Sequence, residues 1–348
     1  MKARVTVSVL SVLAFSLTGC GGGGTPSAGG TNTPPTATST ATATSTPTET
    51  PTGTPTSTPT STAPDASAIS VAAELSVDVP AGWVVERSPV VDQSGTVCLA
   101  PRGSTQIVFD CAGIEFDFGT HLPGAHMDPY RPNVGDGWYP ATDVEPCPFV
   151  AQKPGTLVGI ETKAGFAQGL RPVGAHKADW NRWTATCAGR TFHPQAWFLP
   201  TSRVVIFDYL EHPQTAAVLA SARFAKDGDA LPPMPTYLTG HVVSGSGSSL
   251  TVQPFHTYLS DAAGKAYAKA HGIDFPFPND YYDADTGAPR TVTFDAGTAC
   301  RGDEVLTGQS AGLPVLCSAF AAHHHLPVGI WIRPGGTSAE SLTENFRP

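Results

Sequence analysis

The chain has 348 residues and a formal charge of −9, from 29 acidic against 20 basic residues. That length allows two ordinary domains, while 36 Gly, 33 Pro and a charged fraction of 14% are unusual for one compact enzyme. The acidic balance argues against a nucleic-acid partner, which needs Lys and Arg to displace counterions from phosphates. No internal apolar run approaches the roughly 18 residues needed to cross a bilayer.

Residues 1–19 read as a lipoprotein signal peptide. Lys2 and Arg4 form a short positive region, and Val5 to Leu17 is an apolar stretch too short to span a membrane. It ends in Leu17-Thr18-Gly19-Cys20, which resembles a bacterial lipobox. Such a signal needs a small residue before the cut and a thiol just after it. Cys20 is therefore the expected lipidation site, carrying acyl chains such as palmitate, and the membrane is the first expected partner. The expected location is the outer face of the cytoplasmic membrane. Without Lys2 and Arg4, 18 basic residues face 29 acidic ones, a net of −11.

Residues 20–67 form a Gly/Thr/Pro-rich tether. Thr25 to Pro64 holds 17 Thr and 8 Pro in 40 residues and only Glu49 as a charge, and it has no large apolar group. Such a composition buries too little surface to offset its ordering entropy. Thr/Pro/Ser tracts also suit O-glycosylation, and an unmodified linker is an equal reading.

A first α+β unit is expected over 68–227. Leu75 to Val79 alternates apolar and polar residues like a strand, and Trp83 to Glu86 resumes after the Pro80-Ala81-Gly82 turn. Thr96–Ala100 and Gln106–Cys111 read as a hairpin around Pro101-Arg102-Gly103, followed by a strand at Ile114–Phe118. The Pro/Gly-rich stretch from Gly119 to Pro154 reads as loop. Further strands are expected at Leu157–Glu161, Trp180–Cys187, Thr191–Leu199 and Arg203–Tyr209, then a helix at Pro213–Ala222 with Pro in its first turn.

Residues 228–236 read as a linker, and 237–348 as a second α+β unit. It opens with a hairpin, Gly240–Gly245 and Leu250–Phe255. A helix follows at Ser260–His271, with Ser260 placed to cap it and Gly272 to end it. Arg290–Asp295 alternates, Ser310–Ala322 reads as a second helix, and Val328–Arg333 and Ser341–Phe346 read as closing strands. Each unit is expected to be an antiparallel sheet with one or two covering helices.

Seven cysteines less Cys20 leave six, an even number that suits disulfides in an exported chain. Local geometry suggests Cys98–Cys111, Cys147–Cys187 and Cys300–Cys317 among the possible connectivities. A metal site is the rival reading, but no C-x-x-C pair supports it.

The Val79-Pro80-Ala81-Gly82-Trp83 opening and the Ser221-Ala222-Arg223-Phe224 ending resemble PsbP-like and LpqN-type secreted lipoproteins. Cys98-Leu-Ala-Pro101, Trp138-Tyr139-Pro140, Gly169 to Gly174, Arg182 to Cys187 and Trp197 to Pro200 resemble a domain of exported actinobacterial proteins. Asp280-Tyr-Tyr282, Arg290-Thr-Val292, Ile330-Trp-Ile332 and the Glu344 to Pro348 ending resemble a small actinobacterial secreted module. These likenesses imply fold and compartment and bring no catalytic signature.

His121, Gly124 and Asp128 fit part of the S-x-H-x-x-G-x-A-x-D pattern of zinc peptidases, with His126 at the Ala position and Gly119 at the Ser position. His121, His126 and Asp128 are the weak metal candidates of an alternative reading, a zinc-dependent cell-wall hydrolase. The general-base Glu of that pattern is missing downstream, which favours a polar loop. His323-His324-His325 reads as a helix-end turn, because adjacent residues on an extended chain point to opposite faces. Asp280 to Gly287 fails the calcium-loop register, and Gly245-Ser246-Gly247 lacks the strand-to-helix context of a nucleophile elbow. Trp83, Trp138, Trp180, Trp183 and Trp197 are candidate stacking platforms, with core packing the favoured reading.

The expectation is a non-enzymatic binding or assembly protein of the bacterial envelope, with no cofactor and no catalytic residues assigned. Candidate ligands are another envelope protein, a glycan or a small apolar molecule, and the junction between units is the expected pocket.

Overall fold

The computed structural model describes residues 67–90, 93–104, 111–119, 130, 147–150, 159–162, 167–308 and 312–345. Cys20, the tether, Trp138 and the trio His121, His126 and Asp128 lie outside the described residues, as does most of the expected strand Gln106–Cys111.

The described chain is α+β and rich in strand. In order it runs β1 (Ser67–Ala72), β2 (Leu75–Val79), β3 (Trp83–Arg87), β4 (Gly95–Pro101), β5 (Ile114–Phe118), β6 (Glu161–Thr162) and β7 (Ala167–Val173). Then come β8 (His176–Arg182), β9 (Ala185–Cys187), β10 (Arg190–Phe192), β11 (Gln195–Leu199), β12 (Val204–Asp208), α1 (Thr215–Ala220) and β13 (Arg223–Phe224). After a 3-10 turn at Ala225–Asp227 and an irregular stretch follow β14 (Thr236–Ser246), β15 (Ser249–Leu259), α2 (Ala262–His271), β16 (Tyr281–Asp285), β17 (Arg290–Thr293) and β18 (Ala299–Gly302). The chain closes with α3 (Glu304–Thr307), β19 (Leu313–Pro314), β20 (Pro327–Ile332) and β21 (Ala339–Glu344).

Seven strands form an antiparallel sheet in the order β3-β4-β5-β12-β11-β8-β7. Its central strands are buried on both faces, so polar residues alternate with apolar ones in sequence yet almost none is exposed. On one face Leu99, Ile114, Phe116, Trp180, Trp197 and Ile206 pack against the small sheet β1-β2-β13 and against Val218 and Leu219 of α1. On the other face Ala196, Val205, Phe207 and Tyr209 pack with Tyr130 and the Cys147–Cys187 bridge. A third sheet, β10-β9-β6, adjoins this core through Cys187 and Phe192.

The eight-stranded sheet runs β16-β15-β14-β20-β21-β18-β19, with β17 pairing β15. All neighbours are antiparallel except β18 and β21. Its own core gathers Val242, Leu250, Val252, Phe320, Val328, Ile330 and Leu342. The carboxylate of Glu344 on β21 accepts from the backbone N–H groups of Asp303, Val305 and Leu306, which satisfies the start of α3. The two large sheets meet where Val85 of β3 bridges Thr298, beside β18.

The bridges are Cys98–Cys111, Cys147–Cys187 and Cys300–Cys317, the pairs that spacing suggested. Several elements differ from expectation. The run Trp180–Cys187 divides between two sheets, because Trp183 N–H turns to the carbonyl of Pro194 and β9 leaves with β10. Pro194 likewise breaks Thr191–Leu199 into β10 and β11. In place of a helix over Ser310–Ala322 there are the short strand β19 and a 3-10 turn at Cys317–Ala322. Pro314 lacks the N–H an α-helix would use, and Cys317 is held to β18 by its disulfide. The α2 helix is capped by Asp261, whose side chain accepts from Gly264 N–H, and Ser260 instead accepts from Phe277 N–H. Gly272 ends it in the left-handed conformation, as expected.

Candidate functional site

Two cavities concentrate polar chemistry. One, of about 510 Å³, lies where the two large sheets meet, the junction at which a pocket was expected. Val84, Glu86 and the Pro101–Ser104 turn line one side, and Phe294 to Arg301 and Pro314 to Ser318 line the other. Arg301 Nε donates to Glu86 at 2.5 Å and Asp295 pairs with Arg333, while Arg102 is exposed on the turn.

The other cavity, of about 410 Å³, is built on the seven-stranded sheet beneath α1. Register places Trp180 of β8 directly opposite Trp197 of β11. Antiparallel partners share a face, so the two indoles stand side by side as its floor. Both are buried, as core packing required, and both still line the cavity. Trp180 Nε1 donates to Gln195 Oε1 at 3.0 Å, which fixes one ring. Leu219, Ala216 and Ala220 of α1 form the apolar roof, with Pro172 and Pro213 at the sides.

The rim is a turn between β12 and α1. Asp208 accepts from the N–H groups of Leu210 and His212 and from Thr215 Oγ1 at 2.6 Å. Burial pushes its carboxyl above the usual range, against the pull of those donors. His212 Nδ1 accepts from Gln214 N–H at 3.3 Å, and its ring meets Trp83 edge-on at 4.4 Å. Burial lowers the His212 pKa, although the nearby Asp208 opposes this. Glu211 sits in the left-handed region at φ 55°. Burial would raise its pKa, but hydrogen bonds from Arg182 and His193 win and hold the carboxyl low.

Arg171 completes the site from the edge strand β7. Its guanidinium lies over the Trp180 ring, 4.5 Å from the centroid. Among the described residues it has no carboxylate partner. The acidic groups of the rim are thus committed to the turn, and the cavity faces a cation and two indoles. No protein-family model, curated protein or solved structure matches the chain.

Most of the sequence-level candidates fall elsewhere. Of the tryptophans singled out, Trp180 and Trp197 come together here, Trp83 touches the rim through His212, and Trp183 belongs to the opposite face. The three consecutive histidines do not converge: His324 Nδ1 lies 2.8 Å from the carbonyl of Val243, and His325 N–H donates to Val242. Asp280 to Asp285 is largely strand β16, not a cation loop. Among the described residues no group of three His, Cys, Asp or Glu side chains is placed to hold a metal ion, and no helix is long and apolar enough to cross a membrane. Arg171, Asp208 and His212 were missed in sequence. The available signal was Asp208 standing ahead of Pro213, which lies in the turn before α1 rather than in the helix's first turn.

Proposed function

We propose that this chain is a lipid-anchored protein of the outer face of the cytoplasmic membrane, held through Cys20, that binds a small amphipathic anion in the Trp180–Trp197 cavity. One observation carries the reading: Arg171 lies on Trp180 at the mouth of the cavity, and among the described residues no carboxylate pairs with it, Asp208 of the rim being bonded within the turn and Glu211 to Arg182. An apolar pocket with a few placed polar groups is the usual form of a small-molecule site. A cation stacked on an indole suits a ligand with an apolar body and a negatively charged head. Asp208 and Glu211 serve the turn through several hydrogen bonds each, which supports binding over proton transfer. The acidic net charge, the lipobox and the resemblance to secreted lipoproteins support an envelope setting.

The test uses anilinonaphthalenesulfonate, whose sulfonate and aromatic body match the site. Saturable fluorescence enhancement is expected, and Arg171→Ala should weaken it about fivefold, the loss of one exposed charge contact of about 1 kcal/mol. Trp180→Leu should remove the saturable phase while the fold's melting transition persists. Equal dye affinity in wild type and both variants would overturn the reading.

A further inference from the structure

A second aromatic surface stands on the eight-stranded sheet. The register pairs Tyr258 with Tyr282 and His256 with Ala284, so Tyr258, Tyr282 and His256 share one face of β15 and β16. Helix α2 lies against β15, because Gly264 carries no side chain to collide with the Leu259 carbonyl. That approach sets Tyr267 parallel to Tyr258, with centroids 3.9 Å apart. One turn on, His271 stacks on Tyr267 at 4.2 Å. His256 meets Tyr258 edge-on at 4.6 Å, and Tyr282 lies 6.1 Å from Tyr267.

Three properties separate this patch from ordinary core. It is open: His256, His271 and Tyr282 are exposed, and Tyr258 and Tyr267 are half-buried. Its polar tips are unspent. Among the described residues the hydroxyls of Tyr258, Tyr267 and Tyr282 have no hydrogen-bond partner. Desolvation, and then the neighbouring Tyr282 and Tyr258, push the Tyr267 hydroxyl above its ordinary pKa. Carboxylates and ammonium groups lie off it. Lys265 and Lys269 stand two residues either side of Tyr267, about half a turn round the helix. Asp283 and Asp285 alternate with Tyr282 onto the other face of β16, where Asp283 accepts from Thr257.

The exposed Tyr282 ring beside free hydroxyl and imidazole tips, with no carboxylate or ammonium on that face, matches the C–H face and hydroxyls of a sugar better than an ion or an aliphatic surface. We infer that the Tyr258–Tyr267–Tyr282 face is a binding platform for a neutral polysaccharide, separate from the Trp180–Trp197 cavity. Rings already stacked on one another lose little further freedom on binding.

Affinity electrophoresis of the purified full-length chain at pH 7.5 tests this, in native gels containing hydroxyethyl cellulose, a neutral galactan or polygalacturonate. The chain should be retarded in at least one neutral gel. Tyr282→Ala should weaken that retardation about tenfold, matching one lost stacking contact. Tyr267→Phe preserves the ring column and removes one hydroxyl, so it keeps the assay informative should an alanine variant misfold; it should weaken binding about threefold. Absence of retardation in both neutral gels, retardation only in polygalacturonate, or full retardation in both variants would overturn the inference. Concentration-dependent dimerisation lost in Tyr282→Ala, without retardation, would also overturn it and identify a self-association face.

Discussion

Arg87 on β3 and Glu340 on β21 form a buried ion pair that ties the seven-stranded sheet to the eight-stranded one. Arg87 Nη2 also donates to the Ser70 carbonyl at 2.7 Å, and Trp331 Nε1 donates to the Arg87 carbonyl at 3.1 Å. The preceding residue, Glu86, pairs with Arg301 of β18. Successive side chains of a strand point to opposite faces, so one edge strand grips the other sheet with two charges of opposite sign. Ions withdrawn from water gain little net stability from pairing, but leaving one of them alone is expensive.

Glu340→Gln should therefore destabilise the fold by about 3–5 kcal/mol, since it strands a buried guanidinium. The double change Arg87→Met with Glu340→Leu should recover most of that loss. Urea midpoints of the single and double variants check this. A single variant within about 1 kcal/mol of wild type would show that water reaches the pair.

Asp117 should make stability fall as pH rises. Burial pushes its carboxyl from 3.8 up to about 6, against the donated hydrogen bond of Thr96 Oγ1 at 2.7 Å. The folded state thus holds this proton more tightly than the unfolded chain. Its contribution is complete below pH 3.8 and is lost as pH rises through about 6. At about 1.4 kcal/mol per unit the loss approaches about 3 kcal/mol. Asp117→Asn should remove a loss of that size between pH 4 and pH 7, read from denaturation at each pH. An unchanged pH slope in the variant would sink the assignment.

The strand content was legible because alternation survives in the chain: Leu75, Val77 and Val79 on β2, and Ile114 and Phe116 on β5, recur every second residue. Pattern alone could not show that Trp180 to Cys187 serves two sheets, because the departure occurs where Trp183 N–H meets a carbonyl eleven residues later. The cavity was illegible for a related reason. Arg171, Trp180, Trp197 and His212 come from four separate elements, and the pairing of β7, β8, β11 and β12 makes neighbours of them. The cysteine pairs were readable because two of the three span short separations, 13 and 17 residues.

Asp208 is predicted to hold the rim of the cavity. Asp208→Ala removes the shared acceptor of Leu210, His212 and Thr215. Orphaned buried donors cost about 1–3 kcal/mol each, less where water can enter. Asp208→Asn keeps the shape but sets an amide N–H against one of these donors, so it should lie between wild type and the alanine variant. Dye binding at the cavity should weaken in the same order as stability, since the same turn carries His212 and Pro213. Dye affinity untouched by Asp208→Ala would detach the turn from the site.

Removal of Cys147–Cys187 should cost more than removal of Cys98–Cys111. The first closes a sequence separation of 40 residues and the second one of 13. Loop-closure entropy assigns them about 4 and about 3 kcal/mol. Paired Cys→Ala variants compared by guanidinium unfolding give the order. Thiol labelling of the unreduced chain should find no free cysteine in the folded region.

The anchor is testable apart from the rest. The lipobox reading makes Cys20 the attachment point, and more than one acyl chain gives stable binding at about 0.8 kcal/mol per buried CH₂. Among the described residues no helix offers an alternative span. A processed chain of net charge −11 would also be repelled by an anionic membrane surface. Cys20→Ser should therefore move the protein from the membrane to the soluble fraction, or leave it unprocessed at higher apparent mass. Radiolabelled palmitate should enter the wild type and not the variant. A normally processed Cys20→Ser chain that stays with the membrane would mean that another part of the molecule holds it there, and the lipid assignment would fall.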